Sequence, residues 1–385
     1  VPVRQAARPI EALGVFAVED TTAQLTWRAL PAGPVSARVT GRAVEVDADG
    51  GPGALVLEDL APARQHPVTV TAGGLSCALT VRTLATPPGP LLTRVATVGD
   101  LHLAGRSFGA RGTVVERPRA VEASSVRCAR AALAEAVAWG ADLVVVKGDV
   151  TQRGRSYQWR VAAELLAEVP VPVVVLPGNH DRAPDRTTEP WMAGAELGLR
   201  VVRGTDAVDL PGVRVVMADT TIAGRSRGRL SHRTEEVVTL AAGAPSALVV
   251  LHHQLELHPE LPLWPPGVPR AEADRFLDAL AEAQPAALVT SGHTHRHRRR
   301  RHGPITVTSV GSTKDYPGVW AGYAVHEGGI RQVVRRVADP DCLRWTELTR
   351  RGVAHQWGRL SPGRLDERCF SLDWPGPQIV GQRTV

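Results

Sequence analysis

Apolar and polar positions along the chain fall into two textures that meet near residue 87. From Phe16 to about Thr83 they alternate in short segments set apart by Gly/Pro turns: "AQLTWRAL", "SARVTG", "GALVLEDL", "HPVTVTAGG" and "CALTVRTL". A period of two buries one face of each segment and leaves the other wet, which predicts an antiparallel β-sandwich. "ATPPGPLL", residues 85–92, has the proline and glycine density of a linker. Beyond it, strands alternate with helices: "TRVATVGD", a helix over about 116–139, "ADLVVVKGD", a helix over about 157–168, then "VPVVVLPGNHD". Further strands are predicted at "VRVVMADT", "ALVVLHHQ" and "AALVTSGHTH", with helices over 233–242 and 271–283 in the gaps. These strands are continuous apolar runs, the signature of strands covered on both faces, and their alternation with helices predicts an α/β fold.

Each of these runs ends in a polar cluster, and in open α/β sheets ligands sit outside the carboxyl ends of the strands. The clusters are Asp100 and His102 in "VGDLH", Asp149 in "KGDV", Asn179 and His180 in "GNHD", His252 and His253 in "LHHQ", and His293 and His295 in "GHTH". Any one of them alone is an ordinary polar loop. Together they supply carboxylate, amide oxygen and imidazole, a donor set that suits Zn, Mn or Fe and not a thiolate site. Two ions about 3.5–4 Å apart need around seven donors and a carboxylate bridge, for which Asp149 is the candidate. Gly99, Gly148, Gly178 and Gly292 stand beside these residues, where they let the chain turn sharply and keep bulk away from an anion.

The ordered set "DLH", "GDVTQRG", "GNHD", "LHH" and "GHTH" resembles the calcineurin-like metallophosphoesterases over about residues 93–336. The resemblance implies an α/β fold of two stacked mixed β-sheets flanked by helices, an αββα sandwich. It implies two divalent metal ions, with Asp100, His102, Asp149 and His295 on one and Asp149, Asn179, His252 and His293 on the other. It also implies attack of a metal-bridging hydroxide on a phosphodiester or phosphomonoester, with His180 contacting the phosphate and protonating the leaving alkoxide. For such a proton donor, Asp149 or Asp181 is the expected acidic partner. Gln152 stands where purple acid phosphatases carry an iron-binding tyrosine, which favours a divalent pair of Mn, Zn or Fe over Fe(III). Arg153 stands where protein serine/threonine phosphatases place a phosphate-contacting arginine; it is either a substrate clamp or a surface residue at a helix start. The stretch from "GDVTQRG" to "GNHD" is similar to the bacterial class III cyclic-nucleotide phosphodiesterases, so the expected partner is a small phosphoester substrate, with a cyclic nucleotide one candidate. Within the first texture, Trp27 and "LEDLAPARQHPVTV" resemble a fibronectin type III module, with His66 near its usual tyrosine. The expected organisation is thus a small all-β sandwich over 1–86, a catalytic domain over 87–337, and a tail over 338–385 that packs on it through Trp345, Trp357, Phe370 and Trp374.

Composition sharpens this only a little. The formal charge of +6 suits phosphate esters or nucleic acid, but the basic residues are almost all arginine, with lysine only at 147 and 314, as a G+C-rich genome would give. The run "RHRRRRHG" after "GHTH" is read as a solvated edge strand, whose charges block edge-to-edge pairing, in preference to a nucleic-acid surface. A nuclease, or a non-catalytic metal-binding scaffold, is the alternative function. Tyr316 and Trp320 either line a pocket or pack in the core. Four scattered cysteines form no metal spacing and predict no disulfide framework. No stretch is apolar enough to span a bilayer, and "VPVRQAARPI" lacks the apolar core of a signal peptide, so the cytoplasm is the default location.

Overall fold

The computed structural model describes residues 12–109, 114–117, 122–182, 188–256 and 265–375. The expectations for "VPVRQAARPI", for part of the stretch before the first helix, and for residues 376–385 lie outside them. The first seven strands are β1 (Gly14–Val18), β2 (Ala23–Trp27), β3 (Gly33–Val39), β4 (Arg42–Ala48), β5 (Gly53–Leu57), β6 (Gln65–Ala72) and β7 (Leu75–Arg82). They form a three-stranded sheet, β1-β2-β5, and a four-stranded sheet, β4-β3-β6-β7. Every neighbouring pair is antiparallel. In β6 every second residue is buried, the alternation expected of a half-buried strand. Trp27 is buried, and the His66 ring nitrogen Nε2 lies 2.9 Å from the Ala61 carbonyl, five residues upstream.

The α/β part begins with β8 (Leu91–Val98), followed by the short pair β9 (Ser107–Phe108) and β10 (Val114–Val115), then α1 (Ser124–Ala138), β11 (Leu143–Lys147), α2 (Ser156–Leu166), β12 (Val173–Leu176) and α3 (Pro190–Ala195). Next come β13 (Thr205–Leu210), β14 (Val213–Ala218), α4 (Thr234–Ala242), β15 (Ala247–Leu251), α5 (Arg270–Ala283), β16 (Ala287–Ser291), β17 (Arg298–His302) and β18 (Ile305–Ser309). The chain ends in β19 (Val319–His326), β20 (Gly329–Arg336), α6 (Pro340–Thr349), α7 (Trp357–Leu360), α8 (Leu365–Arg368) and β21 (Phe370–Asp373). Two six-stranded mixed sheets result, in the orders β12-β11-β8-β19-β20-β21 and β13-β14-β15-β16-β18-β17.

Alternation within the buried strands explains the layering. Leu143 and Val145 of β11 share one apolar cluster with Val215 and Met217 of β14 and Leu248 and Val250 of β15, so these faces of the two sheets meet. The intervening Val144 and Val146 pack instead with Ala129, Leu133, Trp159 and Leu165 of α1 and α2. Val216, Val249 and Leu251 pack with Val237, Phe276 and Leu277 of α4 and α5. The layers are therefore helix, sheet, sheet, helix, as expected.

Several local expectations change. Helix α1 starts at Ser124; Glu116 lies before it, and its buried carboxylate accepts the Ser124 amide and hydroxyl, satisfying a helix-terminal donor. Trp320 is packed in the core, its indole N–H donating to Glu135, and does not line a pocket. Tyr316 lies under the Arg336 guanidinium. β17 is an edge strand, but it is not simply solvated. Arg299 stacks 3.9 Å from the Phe370 ring centre, Arg300 lies 3.7 Å from Glu367, and α8 packs against the strand. No helix among the described residues is long and apolar enough to cross a membrane.

Candidate metal centre

All five motifs lie just beyond the carboxyl ends of parallel strands, β8, β11 and β12 in one sheet and β15 and β16 in the other. Stacking the sheets brings these ends to one rim. There the backbone leaves the strands abruptly: Asp100 (φ +54°), His102 (+44°), Asp149 (+48°), His293 (+67°) and His295 (+53°) all occupy the left-handed region. Each such residue costs about 1–3 kcal/mol of backbone strain, which clusters where geometry serves chemistry and not packing. Close approach is enforced by small residues. A Cβ on Gly178 would overlap the Asp149 amide, and one on Gly292 would come within 2.7 Å of Asp100 Oδ2.

The donors converge in two groups. On one side His295 Nε2 lies 3.4 Å from Asp100 Oδ1 and 3.3 Å from His102 Nε2, and His102 Nε2 lies 3.7 Å from Asp149 Oδ2. On the other, His252 Nε2 lies 3.4 Å from Asp149 Oδ1 and 3.2 Å from Asn179 Oδ1, and the His293 ring is 5.0 Å from that of His252. The two oxygens of Asp149 thus face different groups. All but half-buried Asn179 and His295 are withdrawn from solvent.

These residues fit divalent cations. Four donors at about 2.0–2.1 Å from one tetrahedral ion stand about 3.3 Å apart, the spacing seen between the facing atoms here. Protonation states agree. Burial would raise Asp100, but His295 and the His293 amide hold its pKa below the usual value. Burial pushes His102 and His293 well below the usual histidine range, aided by neighbouring cationic groups, so both are neutral. Burial also opposes the His295 proton, yet Asp100 and Asp315 reverse the effect and lift its pKa to about 10. That proton occupies a place a cation would take.

Contacts behind the donors orient them. His252 Nδ1 donates to the Lys147 carbonyl at 2.8 Å, which leaves Nε2 facing the centre. His293 Nε2 lies 3.3 Å from the Pro266 carbonyl, which leaves Nδ1 as its free nitrogen. His295 Nδ1 lies 2.7 Å from the fully buried Asp315. Neither Asp315 nor the pairing of His253 with His293, ring centres 4.5 Å apart, follows from the motifs. The signal for Asp315 was weaker: β18 is also a parallel strand of the second sheet, and its end runs to the same rim, but six residues before Asp315.

His180 stands beside the first group, its ring 4.6 Å from that of His102 and edge-on to it. Its ring makes no hydrogen bond to Asp149 or Asp181, although the Asp149 carboxylate lies within 4.8 Å of it. Nδ1 lies 3.0 Å from the Gln152 carbonyl, and its amide donates to Asp149 Oδ1. Asp181 is spent elsewhere, accepting the amides of Val150, Thr151 and Gly178 and so tying two of the motif loops together. Burial and the Asp149 charge push its pKa up to about 6. Arg153 is exposed, and only its amide is engaged, with Gln158.

Glycerophosphodiester phosphodiesterase GpdQ of Enterobacter lignolyticus is 28% identical over 179 residues, 45% of this chain and 62% of that enzyme, so less than two thirds of that relative's length is matched. The 3',5'-cyclic adenosine monophosphate phosphodiesterase CpdA of Pseudomonas aeruginosa is 28% identical over 243 residues, 60% of this chain and 78% of that enzyme. Among solved structures, a purple acid phosphatase from yellow lupin, Lupinus luteus, superposes with a TM-score of 0.46 at 14% identity, covering 86% of this chain and 73% of that one. The sequence pattern of the calcineurin-like phosphoesterases matches residues 93–297, more than half of the chain and the stretch that carries every strand-end motif. The chain belongs to the calcineurin-like phosphoesterase family.

Proposed function

We propose that the protein is a dinuclear metal-dependent phosphoesterase acting on a small phosphodiester. The observation that carries this reading is the division of the donors about Asp149, whose two carboxylate oxygens face separate groups. Asp100, His102, Asp149 and His295 would hold one cation, and Asp149, Asn179, His252 and His293 the other. Bound there, Mn, Zn or Fe ions would supply an acidified water and neutralise phosphoryl charge. Asp149 keeps the two halves in register, since each half takes one of its oxygens. With Nδ1 donating to the Gln152 carbonyl, His180 presents Nε2 as the nitrogen that passes a proton to the departing alkoxide. Arg153, exposed on the loop after Asp149, is free to reach a substrate phosphate.

The relatives named as cyclic-nucleotide and glycerophosphodiester phosphodiesterases support a diester. The chain is divided in this reading into an 1–86 sandwich, an 87–337 catalytic domain and a 338–385 tail. The three-plus-four strand order and the His66 bond at the corner before β6, where fibronectin type III-like sandwiches place a tyrosine, support a module of that type. Hydrolysis of bis-p-nitrophenyl phosphate, p-nitrophenyl phosphate and cyclic AMP with Mn, Zn and Fe tests the proposal. Metal-dependent turnover with preference for the diesters is expected; turnover indifferent to chelation would overturn it.

A further inference from the structure

The segment after β18, residues 310–317, runs along the rim and delivers Asp315 beneath His295. Asp315 is completely buried, and its Oδ2 takes the His295 Nδ1 proton at 2.7 Å. The loop is fastened at both ends of this residue. Ser312 Oγ donates to the Asp100 carbonyl at 3.0 Å and accepts the amides of Lys314 and Asp315 at 3.1 and 3.2 Å. The remaining fastenings come from the C-terminal segment. Trp345 Nε1 donates to the Lys314 carbonyl at 2.8 Å, Thr349 Oγ1 accepts the Tyr316 amide at 2.8 Å, and Trp357 Nε1 donates to the Tyr316 carbonyl at 3.2 Å. Both residues flanking Asp315 are thus held by α6 and by the start of α7. The same segment reaches the loop that follows His102, through the Trp357 ring 5.3 Å from that of Phe108.

Burial alone does not account for this arrangement. Apolar packing would be served by any large side chain at 345 and 357, yet both positions place an indole N–H on a backbone carbonyl of one short loop. A carboxylate that takes the Nδ1 proton of a metal-binding histidine fixes its tautomer, so that the Nε2 lone pair faces the cation, and holds the ring in place. An acceptor displaced beyond hydrogen-bond reach would lose this effect. Asp315 and the three C-terminal residues that hold its neighbours, Trp345, Thr349 and Trp357, lie beyond residue 297, where the family match ends.

We propose that Asp315 is a positioning residue for His295, and that the C-terminal segment is a brace that sets Asp315 and, through it, the geometry of one of the two cation sites. The proposal rests on the reading of the strand-end cluster as a dinuclear centre. It gives a task to residues 340–357 that packing of a tail does not.

The test titrates the metal-free full chain with Mn²⁺ alone, by calorimetry, and records the His295 Nδ1–H proton by NMR far downfield before any Mn²⁺ is added, since that ion is paramagnetic. Wild type should bind two ions and show that resonance. Asp315→Asn should lose the resonance and weaken one site about 10- to 100-fold while sparing the other. Trp345→Phe and Trp357→Phe keep the ring and delete the donor. Each should broaden the resonance and weaken the same site, by about tenfold or less, with no further loss when combined with Asp315→Asn. Wild-type affinity at both sites in Asp315→Asn would overturn the proposal, as would Trp variants whose effect is undiminished in the Asp315→Asn background. If the Trp variants do not fold, Thr349→Ala, which removes only the acceptor of the Tyr316 amide, decides the matter by the same two readouts; an unchanged resonance and affinity would overturn the brace. A wild-type chain that takes up fewer than two ions would fail the dinuclear reading itself, and shows it without any variant.

Discussion

Two of the clusters of buried charge among the described residues are built in opposite ways. Where the N-terminal sandwich meets β20, Glu19 receives Arg331 at 3.0 Å, Arg335, and the Trp139 indole at 3.1 Å, while Asp20 receives Arg331 at 2.5 Å. Gln24 exchanges two hydrogen bonds with the Arg336 backbone beside them. Each acceptor there meets a donor, on ordinary backbone. At the strand-end rim, where Asp149 has a positive φ, acceptors face acceptors: His252 Nε2, its Nδ1 proton given to Lys147, lies 3.2 Å from Asn179 Oδ1 and 3.4 Å from Asp149 Oδ1. The first region pairs its carboxylates with cations of the protein itself and joins two parts of the chain. The second supplies donors without such partners, the arrangement that the proposed cation sites account for.

The sharpest way to break the contrast is to remove the group shared by both halves of the rim. Asp149→Ala should lower metal-dependent hydrolysis by about three orders of magnitude or more, because the site loses its bridging charge; two ions per chain by elemental analysis of that variant would contradict the role. Glu19→Ala is the matching test of the other region. It takes one of two carboxylates from buried Arg331, which keeps Asp20, and the carboxylate from half-buried Arg335, so it should cost about 3 kcal/mol in denaturant unfolding while the rate per bound metal stays unchanged. Acid should act on the same region. Burial opposes ionisation of Glu19, but Arg335 and Arg331 overcome it and hold its pKa below the usual value. Its contribution is therefore full above the ordinary glutamate pKa and is lost as pH falls through the lower folded value, a dependence that Glu19→Gln should flatten.

His180→Ala should keep both ions and lose about 10- to 100-fold more rate on alkyl or nucleoside esters than on nitrophenyl esters, since nitrophenolate departs without a proton. Equal losses on both would assign His180 to phosphate positioning. The smallest effect belongs to the sandwich corner. His66→Phe should cost about 1 kcal/mol, the worth of its bond to the Ala61 carbonyl, and His66→Tyr should recover it; thermal unfolding of the two variants distinguishes the bond from the ring.

Much of the rim was legible in the sequence because a parallel strand buried on both faces announces where it ends, and the chemistry stands one to four residues later. Asp100, Asp149, Asn179, His252 and His293 are all placed by that rule. What stayed hidden depends on tertiary contact. The partner of His180 is a backbone carbonyl, which leaves no mark on residue identity, and Asp181, the carboxylate expected there, is consumed by three amides. The arginines of β17 read as a solvated edge because nothing local shows that Phe370 and Glu367, some seventy residues later, return to cover them. Asp315 stands six residues beyond the end of β18, outside the one to four within which the other donors stand, and so carries no comparable mark in the sequence.

The central claim, that the rim is a two-cation site and not a second structural charge cluster, is tested most directly by titrating the metal-free protein with Zn²⁺ in buffers of different ionisation enthalpy. Two ions should bind, and near pH 8 uptake should release at least one proton, that of His295, which Asp100 and Asp315 keep protonated until a cation replaces it, with any further release coming from the acidified water. Fewer than two ions, or uptake with no proton released, would contradict the account.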